Sequence, residues 1–231
     1  EITTKIAEFL IENNVRYLRA GAYKPRTSPY TFQGLHQEGL EILKKVKEKT
    51  GIKTVVEIMD ISQIPYYVEN VDIIQVGARN MQNFPLLKAL GKTKKPILLK
   101  RSFGATIEEW LYAAEYILNE GNSRIILCER GIKTFEPMTR NTLDISSVPI
   151  IKGITKIPVL VDPSHASGRS DLIVPLSKAA MAAGADGIMV EIHPHPDCAS
   201  SDREETIDFN TFLELKKELK ALGNVLHKEV K

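Results

Sequence analysis

Cysteine, net charge and long apolar runs are all scarce in this sequence. Two cysteines among 231 residues, Cys128 and Cys198, exclude a disulfide framework, and the expectation is a reduced, cytoplasmic protein. Lys plus Arg (31) nearly balances Asp plus Glu (29), for a formal charge of +2. Composition therefore gives no reason to expect nucleic acid or an anionic membrane as partner, and any basic site must be made locally by folding. No apolar run reaches the roughly 18 residues of a membrane span. No signal peptide is visible, since Glu1 is followed at once by an amphipathic, charged stretch. Repeats, low-complexity tracts and linkers are missing too, which predicts a single domain over residues 1–231. A first residue of Glu in place of Met predicts that some sequence precedes it.

What is present is alternation. Short, nearly continuous apolar runs recur every 20 to 30 residues: Val15–Arg19, Thr54–Ile58, Ile73–Val76, Pro96–Lys100, Ile125–Glu129, Pro158–Asp162 and Gly187–Glu191. Such runs read as strands covered on both faces. Between them lie helical patterns at Thr3–Asn13, Glu38–Lys49, Pro65–Glu69, Phe84–Leu90, Thr106–Leu118, Leu172–Ala183 and Asp208–Leu222, the last two stopped by Gly184 and Gly223. Strand–helix alternation implies a parallel sheet with right-handed crossovers. A dinucleotide-binding sheet needs G-x-G-x-x-G after its first strand, and Gly21-Ala22-Tyr23-Lys24-Pro25 does not supply it. The expectation is a (β/α)8 TIM barrel that shows seven strands and begins with a helix, so that barrel strand 1 would lie upstream of Glu1.

In such a barrel the chemistry sits at the carboxyl ends of the strands. Those positions carry Arg19 and Lys24, Glu57 and Asp60, Arg79, Lys100 or Arg101, Arg130, His165 and Glu191. So many cations in a nearly neutral chain point to anionic, phosphorylated substrates, because Arg grips phosphate and carboxylate bidentately and Lys acts as a point charge. His165, Glu191 and Asp202 together suit a divalent cation such as Mn²⁺, Fe²⁺ or Zn²⁺. The competing reading has His165 simply hydrogen-bonded within the Asp162-Pro163-Ser164 turn. The tract His193-Pro194-His195-Pro196-Asp197-Cys198 is a second candidate chelator. Cys128, inside an apolar strand, reads as a small core residue, and Trp110, Tyr112 and Tyr116 as helix packing.

These motifs, taken in order, resemble 3-deoxy-D-arabino-heptulosonate 7-phosphate (DAHP) synthases of the short type I branch, related to 3-deoxy-manno-octulosonate 8-phosphate synthases. The resemblance is carried by Arg19-Ala-Gly-Ala-Tyr-Lys24-Pro-Arg26-Thr27-Ser28, Gln75-Val-Gly-Ala-Arg79-Asn80, Leu99-Lys100-Arg101, Cys128-Glu129-Arg130-Gly131, Asp162-Pro-Ser-His165-Ala-Ser and Val190-Glu191-Ile-His193-Pro194. It implies an aldol-type condensation of phosphoenolpyruvate with erythrose 4-phosphate, the first step of the shikimate pathway to aromatic amino acids, in a homo-oligomer (dimer or tetramer). It implies Lys24, Lys100 and His165 as catalytic residues. Arg79 and Arg130 would hold the phosphoenolpyruvate phosphate, with Lys100 and Arg19 near its phosphate and carboxylate. Lys24 would lie between the substrates, Arg26 and Thr27 would meet erythrose 4-phosphate, and His165, Glu191 and Asp202 would hold the metal. The octulosonate enzymes typically carry Lys-Ala-Asn-Arg-Ser where this chain has Lys24-Pro25-Arg26-Thr27, which favours the four-carbon aldehyde. Two departures stand out. The family's fourth metal ligand is a cysteine on strand 1, to which neither Cys128 nor Cys198 corresponds. Around Asp202 the family usually reads Ser-Asp-Gly-x-Gln, and here the chain reads Ser201-Asp202-Arg203-Glu204-Glu205. The alternatives are the octulosonate synthase itself, a Schiff-base aldolase using Lys100, and an inactive phosphate-binding barrel.

Overall fold

The computed structural model describes residues 1–230 apart from Pro25, Arg26, Thr27 and Pro29. In chain order the elements are α1 (Ile2–Glu12), β1 (Tyr17–Ala20), α2 (His36–Thr50), β2 (Lys53–Ile58), α3 (Ile64–Asn70), β3 (Ile73–Val76), α4 (Phe84–Gly91), β4 (Ile97–Lys100) and α5 (Ile107–Leu118). They continue with β5 (Ile125–Glu129), α6 (Ser147–Ile154), β6 (Val159–Val161), α7 (Pro163–Ser167), α8 (Ile173–Ala183), β7 (Gly187–Ile188), β8 (Glu191–Ile192), β9 (Thr206–Ile207) and α9 (Phe209–Leu226). The chain packs as two compact units, one of residues 1–100 and 109–125, the other of residues 101–108 and 126–231.

In the first unit β1 to β4 lie side by side in chain order, each parallel to the next. Every residue of β2 after Lys53 is buried, and so is all of β4, which is why these runs lack polar alternation. Trp110, Tyr67 and Leu99 are fully buried, and each such side chain stabilises the fold by roughly 1.5–3 kcal/mol before chain entropy is counted. The indole of Trp110 donates to the Leu99 carbonyl at 3.2 Å, so its one polar atom is satisfied. Tyr116 stacks on Phe84 with centroids 4.4 Å apart. Tyr112 departs from the expected packing: it is half exposed, because its position on α5 faces away from the stripe of Trp110, Ala113, Ala114 and Ile117 that goes inward.

In the second unit β5, β6 and β7 are parallel neighbours, and Cys128 is a buried residue of β5, as its apolar setting implied. Ile173, Ile207 and Leu215 form a small core that Val190, Ile192 and Phe212 pack against. The expected strand Gly187–Glu191 is divided. Gly187 and Ile188 pair with β6, whereas Glu191 and Ile192 pair with Thr206 and Ile207 in a separate two-stranded parallel ladder. Gly184 closes α8 with φ at +109° as expected. Gly223 does not close α9, which runs to Leu226 and is capped by His227. Its role is close approach: a Cβ there would lie 2.6 Å from the Lys228 carbonyl.

Candidate active site

Strand register decides which side chains of the first unit share a face. Arg19 lies opposite Val55, Glu57 opposite Gln75, and Gln75 opposite Leu98. Side chains alternate along a strand, so Arg19, Glu57, Gln75 and Lys100 all point to one side at the carboxyl ends of β1 to β4. Three of them form a network. Arg19 Nε donates to Gln75 Oε1 at 3.2 Å, Gln75 Nε2 donates to Glu57 Oε2 at 3.0 Å, and Arg19 Nη2 meets the same oxygen at 3.4 Å. Glu57 has this room only because residue 77 is glycine: a Cβ there would fall 1.9 Å from Glu57 Oε1. The buried hydroxyl of Tyr67 donates to the Glu57 carbonyl at 2.7 Å and steadies the strand from behind. Lys100 is buried, and Arg79 is exposed on the short turn Ala78–Asn80 that follows β3. Lys24 is half-buried after β1, with its amide donating to the Gln33 carbonyl at 2.8 Å. Arg26 and Thr27 fall outside the described residues.

The second unit relies on buried carboxylates. Arg101 Nη1 contacts Glu129 Oε2 at 2.9 Å and Asp144 Oδ2 at 2.7 Å, while its Nε donates to the Ala105 carbonyl. Glu129 is fully buried, and its other oxygen accepts from the Gly131 amide at 2.6 Å. Burial pushes the Glu129 carboxyl above the usual range against the pull of Arg101. Burial also acts on Asp144, but the donors Arg101 and Ser146 outweigh it and hold that carboxyl low. Glu129 thus fixes the exit of β5, where Arg130 is half-buried.

His165 is hydrogen-bonded within the Asp162-Pro163-Ser164 turn, the competing reading of its sequence context. Asp162, fully buried, accepts from the His165 amide at 3.0 Å and meets its Nδ1 at 2.7 Å. That bond leaves Nε2 directed at Glu191 Oε1, 3.7 Å away. A carboxylate on one ring nitrogen and an open second nitrogen facing another carboxylate is the donor arrangement that a histidine metal ligand requires. Asp202 sits before the turn Arg203–Glu205 with φ at +57°. Among the described residues no three His, Cys, Asp or Glu side chains stand close enough to hold a metal, so Asp202 does not complete a trio with His165 and Glu191 here, nor does the His193–Cys198 tract form one. In that tract the two histidines turn on each other, the His195 amide donating to His193 Nδ1 at 3.0 Å.

Gln75, Asp162, Arg140 and Glu205 were not singled out from sequence as functional. Gln75 and Asp162 sit inside the quoted motifs, next to positions that were. Arg140 and Glu205 are 65 residues apart and pair only through the fold.

A family model described as "DAHP synthetase I family" matches residues 1–228. A phospho-2-dehydro-3-deoxyheptonate aldolase of Thermotoga maritima is 56% identical over 226 residues, covering 98% of this chain and 67% of the relative. A 2-dehydro-3-deoxyphosphooctonate aldolase of Geobacter sulfurreducens is 34% identical over 213 residues, covering 87% of this chain and 77% of the relative. Among solved structures, the Thermotoga maritima DAHP synthase superposes with a TM-score of 0.95 at 54% identity, over all of this chain and 67% of that one. A truncated form of the synthase from the same organism gives 0.91 at 50% identity, over all of this chain and 84% of that one. At these values the chain shares the relatives' fold, and the fold class is the (β/α)8 barrel class expected from the alternation.

Proposed function

The chain belongs to the DAHP synthetase I family, and on that premise we propose that it joins phosphoenolpyruvate to erythrose 4-phosphate, giving 3-deoxy-D-arabino-heptulosonate 7-phosphate and phosphate. The observation that carries this reading is the 56% identity, over 98% of the chain, to a relative named for that product. The octulosonate enzyme of Geobacter sulfurreducens stands at 34%.

Carbon 3 of phosphoenolpyruvate attacks the aldehyde carbon, water adds at carbon 2, and phosphate leaves with cleavage of its carbon–oxygen bond. Arg79 and Arg130 bind the enolpyruvate phosphate, with Lys100 and Arg19 close to its phosphate and carboxylate. Fixed cations of this kind stabilise the charge that develops and hold the reacting carbons in near-attack geometry. Lys24 stands between the two substrates and moves the proton. Arg26 and Thr27 bind the erythrose phosphate. On this reading His165, Glu191 and Asp202 are the residues that would hold a divalent ion of the Mn, Fe or Zn class, although the three do not stand close enough to form a closed set here. Such an ion would supply Lewis-acid polarisation of the aldehyde oxygen. What supports a ligand role for His165 is its setting alone, since Asp162 occupies its Nδ1 and Nε2 faces Glu191. The setting is a cytoplasmic homo-oligomer in the route to aromatic amino acids.

The test is phosphate release from the two substrates together, after chelator treatment and again after Mn²⁺ is restored. Release that needs both substrates and the added ion is expected. No release from metal-loaded protein would overturn the reading. Faster release with arabinose 5-phosphate than with erythrose 4-phosphate would replace it with the octulosonate reaction.

A further inference from the structure

We infer that the buried cluster of Arg101, Glu129 and Asp144 is a positioning device for Arg130, with Glu129 as its central member. Glu129 is the last residue of β5, and Arg130 follows it directly. Consecutive residues of an extended chain point to opposite sides. The Glu129 carboxylate can therefore be locked behind the strand while the Arg130 side chain takes the other side.

Both Glu129 oxygens take part in the lock. Oε2 meets Arg101 Nη1 at 2.9 Å, and the same nitrogen meets Asp144 Oδ2 at 2.7 Å. Oε1 accepts from the Gly131 amide at 2.6 Å, so the carboxylate reaches past Arg130 to the residue on its far side. Arg101 is itself anchored twice more, its amide donating to the Cys128 carbonyl and its Nε to the Ala105 carbonyl, each at 3.0 Å. The chain on either side of Arg130 is fixed as well. The Glu129 carbonyl accepts from the Asp162 amide at 2.8 Å, continuing the ladder with β6. Beyond Gly131, Ile132 and Thr142 exchange two backbone bonds of 2.9 Å. Gly131 has φ at +87°, and a Cβ there would lie 2.8 Å from the Asn141 Cβ. Arg130 Nη1 is shielded from solvent. Its backbone is thus held before and after, and one carboxylate spans the two sides. A guanidinium grips phosphate bidentately only when its plane is aimed, whereas an ammonium acts as a point charge.

The inference rests on the reading that Arg130 binds the phosphoenolpyruvate phosphate, and the experiment separates the two. Phosphoenolpyruvate is titrated calorimetrically into the full chain with no metal added, alongside thermal unfolding of the same samples. The variants are Glu129→Gln, which keeps an acceptor for the Gly131 amide, Glu129→Met, which keeps only the length, and Arg130→Lys. Each Glu129 variant is also combined with Arg130→Lys. Glu129→Met is expected to weaken binding about 10-fold, and Glu129→Gln by less. In the Arg130→Lys background both effects are expected to shrink to within about twofold, because a point charge needs no aiming. The same loss in both backgrounds would overturn the positioning role, since the effects of independent groups add. Unchanged affinity in folded Glu129→Gln and Glu129→Met would overturn it as well. If Glu129→Met does not fold, Glu129→Gln decides by the same two outcomes. Wild-type affinity in Arg130→Lys would show that no fork is used and would overturn the inference while leaving the proposed reaction standing. Failure of wild type to bind phosphoenolpyruvate would overturn the reaction and the inference together.

Discussion

The two units orient their candidate active-site groups by different physics. In the first, Arg19 is held by a chain of side-chain amide and carboxylate, all on one face of adjacent strands, and the arginine–carboxylate contact is a long 3.4 Å. In the second, three carboxylates with no exposed surface, Asp162, Glu129 and Glu205, each hold one cation or imidazole at hydrogen-bonding distance. A buried carboxylate is costly by itself and persists only with its partner in place. The second unit therefore trades tolerance for direction. The first keeps its cations on adaptable neighbours, with Arg79 left on an exposed turn.

The largest expected effect breaks that comparison most directly. Glu129→Ala should cost about 3–5 kcal/mol, because it takes one of two carboxylates from the buried Arg101 guanidinium and the acceptor from the Gly131 amide, whereas Glu57→Ala should cost about 1–3 kcal/mol. Urea unfolding of both variants measures the difference, and equal losses would erase the distinction between the units. Next in size is Gly77→Ala, at about 1–3 kcal/mol, since the new methyl group overlaps Glu57 Oε1 and must push it off Gln75. A melting curve indistinguishable from wild type would show that the first network is looser still.

The smallest effect is a pH dependence. Lys47 and Thr54 hold the Asp72 carboxyl below its usual value in spite of burial. Its stabilising contribution is thus full above the ordinary aspartate range, near about 4, and is lost as pH falls below that range through the lowered value. Glu129 and Glu205 have raised values and the opposite sign: their contribution is largest when protonated and is lost as pH rises. Asp72→Asn should lower stability by no more than about 1 kcal/mol at pH 7, and by less as pH falls below about 4. A loss that grows as pH falls below that range would contradict the assignment.

The strands were legible because burial on both faces writes itself as an unbroken apolar run, and Ile73–Val76 and Ile125–Glu129 fall where those runs lie. The run Gly187–Glu191 misled for the same reason: apolarity cannot say that Glu191 leaves β6 for Thr206. Helix α6, Ser147–Ile154, escaped notice because Pro149 and Gly153 break its pattern in a segment of only eight residues. His165, Glu191 and Arg130 were singled out because the expected strands end at or just before them. Arg140 and Glu205 could not be, since both lie in loops, and nothing local couples positions 65 residues apart.

One backbone detail governs how Asp202 can be interrogated. Its φ of +57° is a left-handed conformation that aspartate and asparagine tolerate and most other side chains resist, at roughly 1–2 kcal/mol. The residue is therefore constrained by the bend of the chain whatever its carboxylate does. Replacing it with alanine removes the proposed oxygen ligand and disfavours the turn together, so the two causes arrive mixed. Asparagine keeps the bend and discards only the charge, and it is the substitution whose result has a single meaning.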